Sequence, residues 1–160
     1  MRKKLELDRA TLEKVAHALS RDYGIEVILD TDRCETDGKR INLPRLPENG
    51  IPSELAATLR YWLDHEVGHI VGKSHTPTLE RFSSESRAKG MLLNAIEDVR
   101  VEGLMAEKWI GCGLNIDRGV RKILQEREAQ GMADANIMQQ AITAAYLTGK
   151  GLELPPGIDP

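Results

Sequence analysis

Aromatic residues are scarce in this chain. One Phe, two Trp and three Tyr make up 4% of its 160 residues, so its core has to be built from Leu, Ile, Val, Ala and Met. Cysteine is scarce as well. Cys34 and Cys112 lie far apart, in none of the paired spacings that bind zinc or exchange disulfides. A reducing cytoplasm suits them, with one long-range disulfide as the alternative. Cys112, between two glycines, reads as part of a packed turn rather than a reactive thiol. No apolar run approaches the roughly 20 residues that cross a bilayer, and no secretory h-region is visible, so no membrane association is expected. No long block of one charge sign exists either. The net charge is −3, and the MRKK start is too short to argue for nucleic acid. Internal repeats and low-complexity tracts are missing too. These absences leave a cytoplasmic globular domain, and the length suffices for one core.

The apolar pattern divides the chain. Leu12, Val15, Ala16 and Leu19 follow a helical period over residues 8–23, with Gly24 as a stop. Residues 25–30 are rich in β-branched side chains and predict a short strand. The Asp-Gly in TDGK signals a turn, and RINLP after it predicts a second strand. Pro44, Pro47, Asn49, Gly50 and Pro52 mark an irregular loop. Ser53 then starts a long helix through Leu55, Leu59, Trp62, Glu66 and Ile70, with Gly72 as its stop. Residues 73–84, which include Pro77, read as a polar loop. Beyond Gly90 the helical pattern resumes at Met91, Leu92, Ala95, Val99 and Met105, and Gly111 and Gly113 read as its end. Two further helices are predicted over residues 116–130 and 133–147. The expected fold class is α+β, with short strands before a helix-rich remainder. Residues 1–150 form the domain, and the Pro/Gly-rich residues 151–160 are a tail or linker.

The chemistry concentrates in DHEVGHIVGKSHTP, residues 64–77. His65, Glu66 and His69 form H-E-x-x-H inside the predicted long helix. Residues four apart share a helix face with Cβ atoms about 5–6 Å apart, close enough for both imidazoles to reach one Zn²⁺ at about 2.0–2.1 Å. Glu66, one residue round the helix, flanks the ion as general base and then acid, taking a proton from an activated water. The bland alternative is a polar helix face with two solvated histidines. Trp62, Leu63, Val67, Gly68 and Ile70 around the pair point instead to a buried helix. Gly68 weakens that helix by about 1 kcal/mol relative to Ala, which a close approach of neighbouring backbone would explain.

Catalytic zinc takes three protein ligands and keeps one position open, so a third ligand is needed. His75 completes the H-E-x-x-H-x-x-G-x-x-H pattern of metzincins. Those enzymes also need a Met-turn, whereas Met91 falls at a helix start. Glu97, in NAIEDVRVE, offers a carboxylate from a second helix packed antiparallel on the first, as in gluzincins. Residues 94, 97, 98 and 101 share a face of that helix. The gluzincin pattern has an acidic residue four positions after the ligand glutamate. That position is Val101 here, whereas Asp98 has Glu102 four residues on. Glu97 ranks first, His75 second and Asp98 third. Arg100 would brace Asp98 or a nearby carboxylate, and Asp64 would orient a ligand imidazole.

NAIEDVRVEGLMAEKWIGCGLNI, after the H-E-x-x-H helix, resembles a segment of cobaltochelatase T-subunit proteins and their von Willebrand A-containing relatives, some phage-encoded. The resemblance covers residues 64–116. It implies a zincin, gluzincin-like domain with His65, His69 and Glu97 as zinc ligands and Glu66 as catalytic base. The D-x-S-x-S motif of a von Willebrand A domain is missing from the chain, so such a domain, like an ATPase, would be a partner. The leading expectation is a zinc-dependent peptidase acting on a peptide or protein, with RINLP as the edge strand that receives the substrate and His75 near the site mouth. The alternative is a non-catalytic, zinc-stabilised interaction module related to chelatase subunits.

Overall fold

The computed structural model describes residues 8–47, 51–129 and 137–154. The MRKK cluster, Asn49 and Gly50 of the proline-rich loop, the predicted helix start at Ala133 and most of the C-terminal tail lie outside the described residues.

The fold is α+β: among the described residues, a small mixed sheet near the N-terminus and six helices. Helix α1 (Arg9–Ser20) opens on Asp8, whose carboxylate accepts from the Thr11 N–H at 2.7 Å and satisfies one of the helix's free donors. It buries Leu12 and Ala16. Strand β1 (Glu26–Thr31) follows, then β2 (Glu35–Thr36) and β3 (Arg40–Pro44). The Asp37–Gly38 turn joins β2 to β3. Gly38 takes φ +90°, a conformation open to glycine without strain, and the Asp37 carboxylate caps the Lys39 and Arg40 N–H groups. The strand order is β1-β3-β2, with β1 parallel and β2 antiparallel to β3. RINLP is therefore the central strand, not the edge. Val27 and Ile41, paired across β1 and β3, are both fully buried on the face that α1 and α2 cover. The two-residue β2 forms the edge that meets the next helix.

Helix α2 (Ser53–Val71) carries the H-E-x-x-H residues and ends at Gly72, as predicted. Leu59, Leu63 and Val67 pack into the core formed by α1 and the sheet. Helix α3 (Thr76–Glu85) occupies much of what read as loop. Pro77 sits in its first turn, where a missing N–H costs nothing, and α3 buries no side chain, so it carries little apolar signal. Helix α4 (Arg87–Lys108) is followed at once by α5 (Ile110–Ala129). Gly111 and Gly113 lie inside α5 instead of ending α4; the break falls at Trp109, which is extended. Cys112 is buried on the same helix, and both cysteines are free thiols. Gly119 is required by contact: a Cβ there would lie 2.2 Å from Tyr61 Cγ. Helix α6 (Ile137–Gly149) packs on α4. Among the described residues no helix is long and apolar enough to cross a membrane.

Candidate metal centre

Helices α2 and α4 cross in opposite directions. His65 meets Glu102 and His69 meets Asp98, while Gly68 faces Met105 and Gly72 faces Val101 and Arg100. Gly68 makes the crossing close, since a Cβ there would stand 3.1 Å from Met105 Cγ and 3.5 Å from the Val101 carbonyl. The helix weakness noted in the sequence thus coincides with tight packing of α4.

At this crossing three side chains converge. His65 Nε2 and His69 Nε2 are 3.3 Å apart. Asp98 Oδ1 lies 3.3 Å from His69 Nε2 and 3.7 Å from His65 Nε2. Tetrahedral bonds of about 2.0–2.1 Å place donor atoms about 3.3–3.4 Å apart, so the triangle has the size such an ion requires. Asp98 Oδ1 is buried and has no hydrogen-bond partner among the described residues, while Oδ2 accepts from Asn94 Nδ2 at 2.9 Å. A buried carboxylate oxygen without a donor is costly, and a cation would satisfy it. His65, His69 and Asp98 therefore form a group able to hold a metal ion.

The far sides of both imidazoles are fixed. His65 Nδ1 lies 2.9 Å from Glu102 Oε1. A carboxylate there accepts, so Nδ1 carries a hydrogen and Nε2 is the nitrogen turned toward an ion. His69 Nδ1 lies 2.9 Å from Ser74 Oγ, whose own hydrogen goes to Glu97 Oε1. His69 therefore donates to Ser74 and also turns its Nε2 lone pair to the centre. Burial alone would lower the His65 pKa. The Glu102 hydrogen bond and the charges of Asp98, Glu102 and Glu66 outweigh it and hold His65 up to about 9. In the ion-free site that second proton sits on Nε2, and a cation drawn by the same negative field would displace it.

Glu102 is fully buried. Burial alone would raise its pKa, but His65, Tyr146 and Lys150 hold it below the usual carboxylate range. Glu97, the first-ranked ligand candidate, stands outside the triangle. It bonds Arg100 Nε at 2.8 Å and Nη2 at 2.7 Å, and Arg100 also donates to the Gly72 carbonyl at 2.8 Å. Arg100 thus braces a carboxylate, as expected, and that carboxylate is Glu97, held below its usual pKa chiefly by this contact. His75 is exposed at the start of α3, with Nδ1 on Thr78 Oγ1 at 2.6 Å, and is not in the group. Asp98, the third-ranked candidate, is the carboxylate brought to the histidines. Asp64 points to α5, where Asn115 donates to it at 2.8 Å, and orients no ligand imidazole.

Glu66 is buried on the wall of a cavity of about 240 Å³ that is also lined by His65, His69 and Asp98, with Cys34 to Gly38 opposite. The Cys34 thiol donates to Glu66 Oε1 at 3.2 Å. Burial pushes the Glu66 carboxyl up, against the pull of His65 and Cys34. A second, more apolar cavity of about 550 Å³ opens on the other side of His65 and Asp98, between α4, α5 and α6. Ser74, Cys34, Tyr146 and Lys150 carried no usable signal in the sequence. Asn94, Asp98 and Glu102 did, because their spacing of four marks one face of α4.

A family model described as "Cobalamin biosynthesis protein CobT" matches residues 3–150, well beyond the stretch whose resemblance the sequence displayed. No curated protein and no solved structure matches the chain. The chain belongs to the CobT family.

Proposed function

We propose that this CobT-family chain is a metal-stabilised module in which one divalent cation, held by His65 Nε2, His69 Nε2 and Asp98 Oδ1, ties α2 to α4. Two imidazoles and a carboxylate at this spacing suit zinc. The observation that carries the proposal is Asp98 Oδ1, a buried carboxylate oxygen without a donor, facing two imidazoles whose lone pairs are aimed at the same point. The proposed role is assembly with a partner, an ATPase or a von Willebrand A domain, as suits a family related to cobaltochelatase. Metal content of the purified protein tests the centre. One zinc per chain, lost in Asp98→Ala, is expected; protein that binds no zinc at saturating concentration overturns it.

A second reading, zinc-dependent peptide hydrolysis on a zincin-like site, is supported by two features. Among the described residues the group supplies three ligands, whereas structural zinc sites are closed by four. Glu66 also lines the same cavity as the ligands. A bound zinc would supply a Lewis acid that polarises a carbonyl and acidifies a water. Glu66, steered by the Cys34 thiol, would take a proton on its carboxylate and return it to the leaving amine. An extended peptide would pair with the edge strand β2. Zinc-loaded wild type and Glu66→Gln, incubated with unfolded casein, separate the two readings. Cleavage by wild type alone, with equal zinc in both, establishes hydrolysis; casein left intact by zinc-loaded wild type removes this second reading.

A further inference from the structure

The carboxylate of Glu102 is bonded from two sides. Oε1 takes the hydrogen of His65 Nδ1 at 2.9 Å, while Oε2 accepts from Tyr146 Oη at 2.6 Å and Lys150 Nζ at 3.0 Å. Tyr146 lies on α6 and Lys150 directly follows that helix. The Lys150 side chain is only 17% exposed, and its backbone N–H is anchored on the Tyr146 and Leu147 carbonyls. A carboxylate with no exposure keeps its charge in such a place only when donors surround it. Tyr146 of α6 and Lys150 just beyond it provide two of the three donors, and α2 provides the third through a side chain of the metal group.

We propose that Tyr146 and Lys150 are positioning residues for the cation site: through Glu102 they fix the tautomer and orientation of His65, so that α6, which supplies no ligand, sets the affinity of the centre. The inference rests on the metal-centre reading above. Because binding couplings are reciprocal, a cation between α2 and α4 also tightens α6 onto α4. A helix that was merely packed against α4 would behave differently: weakening it would lower thermal stability equally with and without metal.

The test uses the full chain and zinc as the probe. Zinc dissociation constants are measured by competition with a chromophoric chelator for wild type, Lys150→Met, Lys150→Arg and Tyr146→Phe. Amide hydrogen exchange along α6 is followed in zinc-free and zinc-loaded wild type. Groups that orient metal ligands typically change affinity by about 10–100-fold, so Lys150→Met is expected to bind zinc at least tenfold more weakly. Lys150→Arg, which keeps the charge, restores most of the loss. Tyr146→Phe gives a smaller weakening, and it decides the matter should Lys150→Met not fold. Zinc is expected to slow exchange in α6. Wild-type zinc affinity in Lys150→Met and Tyr146→Phe, or α6 exchange unchanged by zinc, overturns the inference. Wild type that binds no zinc overturns instead the metal centre beneath it.

Discussion

Replacing Asp98 with Asn changes one atom where the cation would sit. The amide oxygen can keep the hydrogen bond from Asn94 Nδ2, now 2.9 Å from Oδ2, which leaves an amide nitrogen where Oδ1 faces His65 Nε2 and His69 Nε2. That nitrogen has hydrogens and no lone pair to offer, so the site falls from three protein ligands to two. An ion that binds only the folded state at a hundred times its dissociation constant stabilises it by about 2.7 kcal/mol. A domain of this size shifts its Tm by about 2–4 °C per kcal/mol, so zinc at that excess should raise the wild-type Tm by about 5–11 °C over chelator-treated protein. In Asp98→Asn the same addition should raise it by less than about 2 °C. Paired thermal melts by circular dichroism, with chelator and with zinc, give both numbers. A full zinc shift in Asp98→Asn, together with its loss in Glu97→Ala, would refute the ligand assignment and restore Glu97 as the third ligand.

Three further substitutions carry separate expectations. His75→Ala should leave zinc stoichiometry and the zinc-induced Tm shift unchanged, as equilibrium dialysis and melting would show, because His75 bonds Thr78 on the exposed side of α3. Glu97→Ala removes a half-exposed ion pair and should cost about 0.5–1 kcal/mol in urea unfolding. It should also weaken zinc several-fold by freeing Ser74 while the one-zinc stoichiometry stays, which titration would read. Gly119→Ala drives a methyl group to 2.2 Å from Tyr61 Cγ, a ring atom rather than a flexible tip. It should destabilise by about 3 kcal/mol, seen as a Tm lower by roughly 6–12 °C.

Much of the architecture could be read from periodicity, and the departures have physical causes. The H-E-x-x-H helix, its start after Pro52 and its end at Gly72 were legible in the sequence, although no side chain caps the start and Gly72 is right-handed, its small size matched to Val101 Cγ1, which a Cβ would meet at 2.9 Å. Helix α3 was not, because it is short and polar on average, with Leu79 and Phe82 as its apolar side chains, and Pro77 with the serines around it reads as loop. Gly111 and Gly113 resembled stop signals, yet Gly113 packs against Ala106 at a close α4–α5 contact, a tertiary reason for a small residue that local pattern does not reveal. RINLP was legible as a strand, but its central position depends on the parallel pairing with β1, which spacing alone does not set. At the metal group the H-E-x-x-H spacing put the two histidines on one face, and among the third-ligand candidates Glu97 and Asp98 differ by one residue, about 100° of rotation round α4. The spacing of Asp98 and Glu102 kept Asp98 among the candidates, behind Glu97 and His75. The resemblance favoured its neighbour. Tyr146 and Lys150 were out of reach, as they meet Glu102 only across the packed α4–α6 contact.

The most direct measurement is anomalous diffraction at the zinc edge from crystals grown with zinc. A single peak about 2.0–2.2 Å from His65 Nε2, His69 Nε2 and Asp98 Oδ1 is the expected result. A map with no peak between α2 and α4, or a peak bound by Glu97 or His75 with Asp98 turned away, would contradict it.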